Sequence, residues 1–191
     1  MSKCPVTGLV KNCRCLYDHE PRQVDLKTVM RFLFTEHGVY TAFVLKSIVD
    51  GIPDVNVFVK RTLENQKDIG DQLKPIVGNQ KGAEVTAVLT EHIKLAGEVM
   101  KAAKNKDKHL NQKINKLFDN SDDVAVVLSS LNPQKLPLQD MKDMFHIHND
   151  FVIKMTVARL AKQYQKEQIL YDAYYNELLD MADQLAMALE Q

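Results

Sequence analysis

Glycine and proline are scarce in this sequence, with 7 and 6 occurrences among 191 residues. Both cluster where apolar residues stop recurring every three or four positions, which is the spacing of one face of an α-helix. This shortage of helix breakers predicts a chain that is almost entirely helical. The chain is long enough, and at 45% hydrophobic residues apolar enough, to bury one sizeable core, so we expect a single helical domain.

Other absences exclude classes of partner. No apolar run approaches the roughly 18 residues that a membrane-spanning helix needs, and the first residues lack the apolar stretch of a signal peptide. We therefore expect a soluble, intracellular (cytoplasmic) protein without a membrane partner. The 25 basic residues balance 25 acidic ones, so no net field recruits nucleic acid. There is one local run of lysines, which consists of Lys101, Lys104, Lys106 and Lys108. We interpret these lysines as residues of a helix C-terminus and of a solvated loop.

Sequence motifs for common reactions are also missing. The chain contains no glycine-rich dinucleotide loop, no phosphate loop, no His-Glu-x-x-His pair and no Gly-x-Ser-x-Gly elbow. These motifs carry nucleotide binding, metalloprotease and serine hydrolase chemistry. The sequence therefore does not name a reaction, and whether the protein is an enzyme stays open at this stage.

Turn signals divide the chain into six helices. Asp25 and Asp54 are suitable caps for the first two helices. The third is expected at about residues 81–104 and the fourth at about 109–130. The predicted breaks are Gly51-Ile52-Pro53, the stretch from Pro75 to Gly78, residues 105–108, Asn132-Pro133 and the polar segment 162–166.

Polar residues recur at an interval of about 55 positions. Thr35-Glu36-His37 returns as Thr90-Glu91-His92, and His148 follows 56 positions after His92. In the same register, Asn65 and Asp68 return as Asn120 and Asp123, and Asn176 falls 56 positions after Asn120. Such a period predicts three copies of one helical hairpin, at about 25–78, 80–133 and 136–191. We predict an all-α, six-helix bundle built from these pseudo-repeats and preceded by an irregular, cysteine-containing arm at residues 1–24.

The three histidines are the main candidate site residues. Each lies on a mostly apolar helical stripe, which places the ring in the interior and requires partners for its nitrogens. In a structural interpretation, these partners on neighbouring helices pin each hairpin by a hydrogen bond. The candidate partners are Asn65, Asn120, Asn176, Asp68 and Asp123.

A second interpretation makes the same cluster a divalent-metal site. His37, His92 and His148 would bind an ion such as zinc, with Asp68 and Asp123 as further ligands and the asparagines behind them. A water in an open fourth position would then make a zinc-dependent hydrolase, with Glu36 and Glu91 as candidate bases. Asp172 and Glu177 on the last helix could supply additional carboxylates.

The first 24 residues carry a separate ligand set. Cys4, Cys13, Cys15 and His19 provide the ligand count of a tetrahedral zinc site, although their spacing is not that of standard knuckles. Three cysteines cannot pair completely within one chain, so free thiols or a crosslink between chains are the alternatives. This arm could also make the protein an interaction module that docks on a protein partner or on a second copy.

Five segments of the sequence resemble a family of uncharacterised all-helical bacterial proteins. The resemblance covers about residues 25–190 and implies the helical fold and the importance of His37, His92 and His148. Some members are labelled glycosyltransferase or acetylglutamate kinase, but the chain has no nucleotide or sugar-nucleotide motif that supports either label. The segments are Phe34-Thr35-Glu36-His37, Asn65-Gln66-x-Asp68-Ile69-Gly70, Glu91-His92-Ile93, Leu128-Ser129-Ser130-x-Asn132-Pro133 and Met181-Ala182-Asp183.

Overall fold

The computed structural model describes residues 25–190, and all six regular elements in that range are helices. This confirms the all-α class and the six-helix count. The helices are α1 (Leu26–Asp50), α2 (Val55–Val77), α3 (Asn79–Lys104), α4 (Leu110–Ser129), α5 (Leu138–Leu160) and α6 (Tyr164–Leu189).

Most helix boundaries follow the local signals in the sequence. The Asp25 carboxylate accepts a hydrogen bond of 2.7 Å from the backbone N–H of Thr28, so it caps α1 as predicted. Gly51 ends α1 at φ 74° and Gly78 separates α2 from α3 at φ 88°. Both values lie in the left-handed region that favours glycine.

Two local predictions need correction. Asp54 precedes α2, but its side chain makes no capping hydrogen bond, and its buried Oδ1 atom has no partner among the described residues. The last break falls at residues 161–163, so it overlaps only the start of the predicted segment 162–166, and Tyr164 already belongs to α6. The predicted end of α2 is confirmed, since the helix stops at Val77 with Gly78 as its C-cap.

The six helices form a closed ring, and three of these same helices also meet in its interior. Each helix contacts its neighbour in sequence, and α6 packs back against α1. In addition, α1, α3 and α5 contact one another, while α2, α4 and α6 each bridge two of them. Sequence-adjacent helices therefore pair as the predicted hairpins do. That these hairpins are copies of one unit stays a prediction.

The core is formed by apolar faces of all six helices. Met30, Leu73 and Val85 are completely buried, and the same cluster extends to Met181 and Leu185 on α6. Burial of such side chains stabilises the fold by about 1.5 to 3 kcal/mol each. No described helix combines the length and the apolar character required to cross a membrane.

The α2 and α3 helices approach each other closely at two glycines. Gly70 of α2 and Gly82 of α3 are both buried. A Cβ atom added at Gly70 would lie 2.6 Å from the backbone oxygen of Gly82, and one added at Gly82 would lie 2.9 Å from that of Gly70. Because glycine has no Cβ atom, the two backbones can come into contact here, and this contact sets the spacing of the helix pair.

Lysine side chains from neighbouring helices and from the segment between α4 and α5 satisfy carbonyls at helix C-termini. Lys104 at the end of α3 donates a 2.6 Å hydrogen bond to the carbonyl of Ile48 in the last turn of α1. Lys81 donates similarly to Ser130, and Lys135 to Met187. The last carbonyls of a helix have no partner within the helix and carry partial negative charge, so an ammonium group stabilises them.

We predict that Lys104→Met lowers the free energy of unfolding by about 1 kcal/mol, because the Ile48 carbonyl loses a charged donor. Urea denaturation followed by circular dichroism measures this difference. Lys101→Met is the matched control, since Lys101 is exposed and precedes Lys104 by one helical turn; it is expected to change the value by less than about 0.5 kcal/mol. Equal effects of the two substitutions would contradict the capping role.

Candidate functional site

The structure brings His37, His92 and His148 into one buried cluster. They lie on α1, α3 and α5, the three inner helices, and each is less than 9% exposed. The ring centroids of His37 and His148 are 5.8 Å apart, and those of His92 and His148 are 5.9 Å apart. The neighbourhood of imidazoles that the repeat spacing predicts is therefore present.

Hydrogen bonds define the tautomers of two of these rings. His92 donates from Nδ1 to Oδ1 of Asn120 on α4 at 3.0 Å, and His148 donates from Nδ1 to Oε2 of Glu177 on α6 at 3.1 Å. Because both oxygens can only accept, the hydrogen of each neutral ring is on Nδ1 and the lone pair is on Nε2. Within residues 25–190, neither Nε2 atom has a hydrogen-bond partner.

In His37, the hydrogen bonds place the ring hydrogen on the other nitrogen, Nε2. The amide nitrogen of Gln66 on α2 donates to its Nδ1 at 3.1 Å, so the hydrogen of the neutral ring is on Nε2, which lies 3.5 Å from the Thr41 hydroxyl. The predicted partner, Asn65, is buried but donates to the backbone oxygen of Leu33 instead. It also accepts a 3.0 Å hydrogen bond from Gln66, which fixes the neighbouring amide.

The predicted partner on the last helix is likewise displaced by one residue. Asn176 is exposed, whereas Glu177 faces the cluster and bonds to His148. One position on an α-helix rotates the side chain by about 100°, so a shift of one residue decides whether it faces in or out. The observed partners follow their histidines by 29, 28 and 29 residues, so the sequence interval alone does not separate Gln66 from Asn65 or Glu177 from Asn176.

The other predicted carboxylates lie outside the cluster. Glu36 and Asp68 both pair with Arg61, at 2.7 and 3.4 Å. Glu91 is exposed beside Lys94, and Asp123 is exposed on α4. Asp172 is exposed too, and accepts a hydrogen bond from Gln168. These five acids do not contact the histidines, because the residues next to an inward position on a helix point away from it.

Burial keeps two of the imidazoles neutral. It lowers the pKa of His92 to about 3, with a further contribution from neighbouring His148. The pKa of His37 is also lowered well below the usual range, first by burial and then by the other two histidines. A cation is poorly solvated in an apolar interior and is repelled by a second one, so both rings stay uncharged at neutral pH.

Aromatic and unpartnered polar groups surround the rings. Tyr174 and Phe145 pack against His148 with centroid distances of 5.1 and 6.1 Å. The completely buried Tyr174 hydroxyl approaches Thr41 but forms no hydrogen bond of acceptable geometry, and Oε1 of Glu177 is also buried without a partner. Buried polar atoms without partners indicate a place for water or for an ion.

A small internal cavity adjoins the three histidines. Its volume is about 30 Å³, which exceeds the roughly 10 to 15 Å³ that one water needs. The side chains that line it are all at most 9% exposed. The space therefore suits an ion or one or two waters.

The rings are close but are not arranged as a complete ligand set. In the described part of the chain, no three histidine, cysteine or acidic side chains form a group that could hold a metal ion as they stand. The second predicted ligand set lies outside the described residues, since Cys4, Cys13, Cys15 and His19 all precede residue 25.

The chain matches no protein-family model, and no curated protein or solved structure is significantly similar to it. Membership of the uncharacterised all-helical family therefore stays a prediction.

Proposed function

We propose that the protein binds a divalent transition-metal ion, zinc being the best fit, between the three inner helices. The observation that carries the proposal is the pair formed by His92 and His148. Both rings direct Nδ1–H to an oxygen of an outer helix and keep an Nε2 lone pair without a partner. Metal-binding histidines have this arrangement, in which the oxygen behind the ring fixes the tautomer and raises ligand basicity.

The spacing of the rings supports the same conclusion. Two imidazoles that bind one zinc ion at about 2.0 Å from each nitrogen have centroids about 5 Å apart in a tetrahedral site. The observed separations of 5.8 and 5.9 Å exceed this value by less than about 1 Å. A small inward movement of the rings is therefore required, together with transfer of the His37 hydrogen from Nε2 to Nδ1 and rotation of the Gln66 amide.

The electrostatics of the region favour a cation. Among the described residues, Glu177 has no lysine or arginine partner and contacts His148 instead. A metal ion bound to His148 would make that ring more positive and would strengthen its contact with the Glu177 carboxylate. Glu177 also lines a surface depression together with Asp140, Asp143 and Asp180. Neighbouring carboxylates raise the local concentration of cations, so this face would attract the ion towards the Glu177–His148 pair.

The metal would serve mainly to hold the fold together. An ion bound by one histidine from each of α1, α3 and α5 would link the three inner helices, and its binding free energy would add to the stability of the folded state. The cavity of about 30 Å³ provides room for the ion and a water, which is less than the roughly 300 to 1,000 Å³ of a typical small-molecule site and so favours a binding protein over the zinc-dependent hydrolase.

Titration of metal-free protein tests this function. With Cys4, Cys13 and Cys15 changed to serine, so that only the interior can contribute, we expect one zinc ion per chain. Cobalt(II) should show the visible absorption of a four-coordinate site. Free zinc at 1,000 times its Kd should raise the free energy of unfolding by about 4 kcal/mol.

Variants locate the ion. His92→Gln combined with His148→Gln should abolish binding, and Glu177→Gln should weaken it about 10- to 100-fold by replacing the carboxylate behind His148 with a neutral amide. His109→Gln is the matched control, since His109 is exposed on the loop before α4. Circular dichroism of each metal-free variant establishes that it is folded. Absence of zinc from the serine variant, or unchanged binding in the double glutamine variant, would overturn the proposal.

A further inference from the structure

A second pocket, larger than the histidine cavity, opens near the C-terminal end of α5, between α1, α5 and the start of α6. Its volume is about 410 Å³, within the range of roughly 300 to 1,000 Å³ typical of small-molecule sites. Phe43 and Lys46 of α1 form one wall, Arg159 of α5 forms the base, and Tyr164 and Tyr171 of α6 form the other wall. None of these residues contributes to the histidine cluster.

The aromatic walls of this pocket are held in place from behind. Phe43 stacks on Phe58 of α2 with a centroid distance of 4.8 Å and an interplanar angle of 22°. The Arg159 guanidinium lies 5.6 Å from the centroid of the Tyr164 ring. Tyr171 packs against completely buried Tyr174 at 6.3 Å. The rings are thus positioned before any ligand binds, which reduces the entropy that binding would cost.

Two basic side chains line the pocket, and only one of them is paired with acidic residues of the described part of the chain. Arg159 is fully engaged, because it bonds to Asp50 through Nε and Nη2 and to Glu167 through Nη1 at 3.0 Å. Lys46 is exposed at the rim and has no acidic partner among the described residues. An anionic group on a ligand would therefore find one unpaired ammonium beside aromatic surface.

We propose that this pocket binds a small planar organic anion, such as an aromatic carboxylate. Its ring would pack between Phe43 and Tyr164, because offset or edge-to-face aromatic pairs are favourable beyond their buried area. Its carboxylate would pair with Lys46. The proposal is independent of metal binding, since the pocket shares no lining residue with the histidine cavity.

Titration of the full-length protein with 2-naphthoate, followed by two-dimensional NMR, tests the proposal, with 2-naphthalenemethanol as the uncharged analogue. We expect shift changes confined to residues around Phe43, Lys46 and Tyr164. Lys46→Gln should weaken naphthoate binding about fivefold and leave the binding of the alcohol unchanged. Tyr164→Ala should weaken the binding of both compounds about tenfold.

Matched variants separate this site from general apolar binding. Lys101→Gln removes another exposed lysine, and Phe32→Ala removes an aromatic side chain that is 62% exposed elsewhere on α1. Neither change should alter the affinity for naphthoate. Shift changes scattered over the surface, no saturable binding, or equal losses in Lys46→Gln and Lys101→Gln would overturn the proposal.

Discussion

Gly70→Ala is expected to lower the free energy of unfolding by about 3 kcal/mol, at the upper end of the usual cost of overpacking. The added methyl group would overlap the Thr86 hydroxyl and would lie 2.6 Å from the backbone oxygen of Gly82. The hydroxyl belongs to a side chain that can rotate, but the carbonyl oxygen moves only if α3 moves. Urea denaturation monitored by circular dichroism measures the loss.

Gly97→Ala is the matched control for this prediction. Gly97 also lies inside a helix, but nothing lies within 4 Å of the position that its Cβ would take. Alanine should therefore stabilise α3 by about 0.5 to 1 kcal/mol through its higher helix propensity. In the double variant Gly70→Ala/Thr86→Ala, most of the loss should persist. Full recovery in that variant would show that the hydroxyl, and not the backbone approach, causes the effect.

Acidification from pH 7.5 to 5.5 is expected to cost about 3 kcal/mol of stability through His37 and His92. Their pKa values are lowered in the folded state, to about 3 for His92, from the ordinary value of 6.5. The unfolded chain therefore binds more protons below pH 6.5. The stabilisation is complete above that value and falls by about 1.4 kcal/mol per histidine and pH unit as the pH decreases.

Urea denaturation at several pH values, with a chelator present, measures this dependence. His92→Leu should reduce the acid-dependent loss by about half, since one of the two buried neutral rings is removed. His109→Gln should leave the loss unchanged, because His109 is exposed. Equal stability of the original protein at pH 7.5 and 5.5 would contradict the buried, neutral state of both histidines.

Local interactions explain why much of the fold could be predicted. Asp25 caps α1 through the Thr28 N–H, and Gly51 and Gly78 take backbone conformations that few other residues tolerate. Pro75 and Gly78 predicted the end of α2, which passes Pro75 by two residues and stops at Val77. Packing of α2 against α3 keeps that last turn helical, although a proline within a helix normally costs stability.

The candidate site was predictable at the level of the histidines but not of their partners. A constant interval along a repeated hairpin places His37, His92 and His148 on equivalent stripes without knowledge of the packing. The partners depend on how each outer helix is rotated about its own axis. For that reason Gln66 and Glu177 occupy the positions that the sequence pattern had assigned to Asn65 and Asn176.

The amino-acid order alone determines the number of helices, their approximate ends and the inward placement of the three histidines, because these depend on short-range periodicity and backbone preferences. Tertiary packing decides the rest. Only the contacts among α1, α3 and α5 bring the His148 ring within 6 Å of the other two rings, and only the rotation of α2, α4 and α6 selects their hydrogen-bond partners. Those distances and rotations depend on how side chains of different helices fit together, as at the Gly70–Gly82 contact between α2 and α3, which the periodicity of a single helix does not encode.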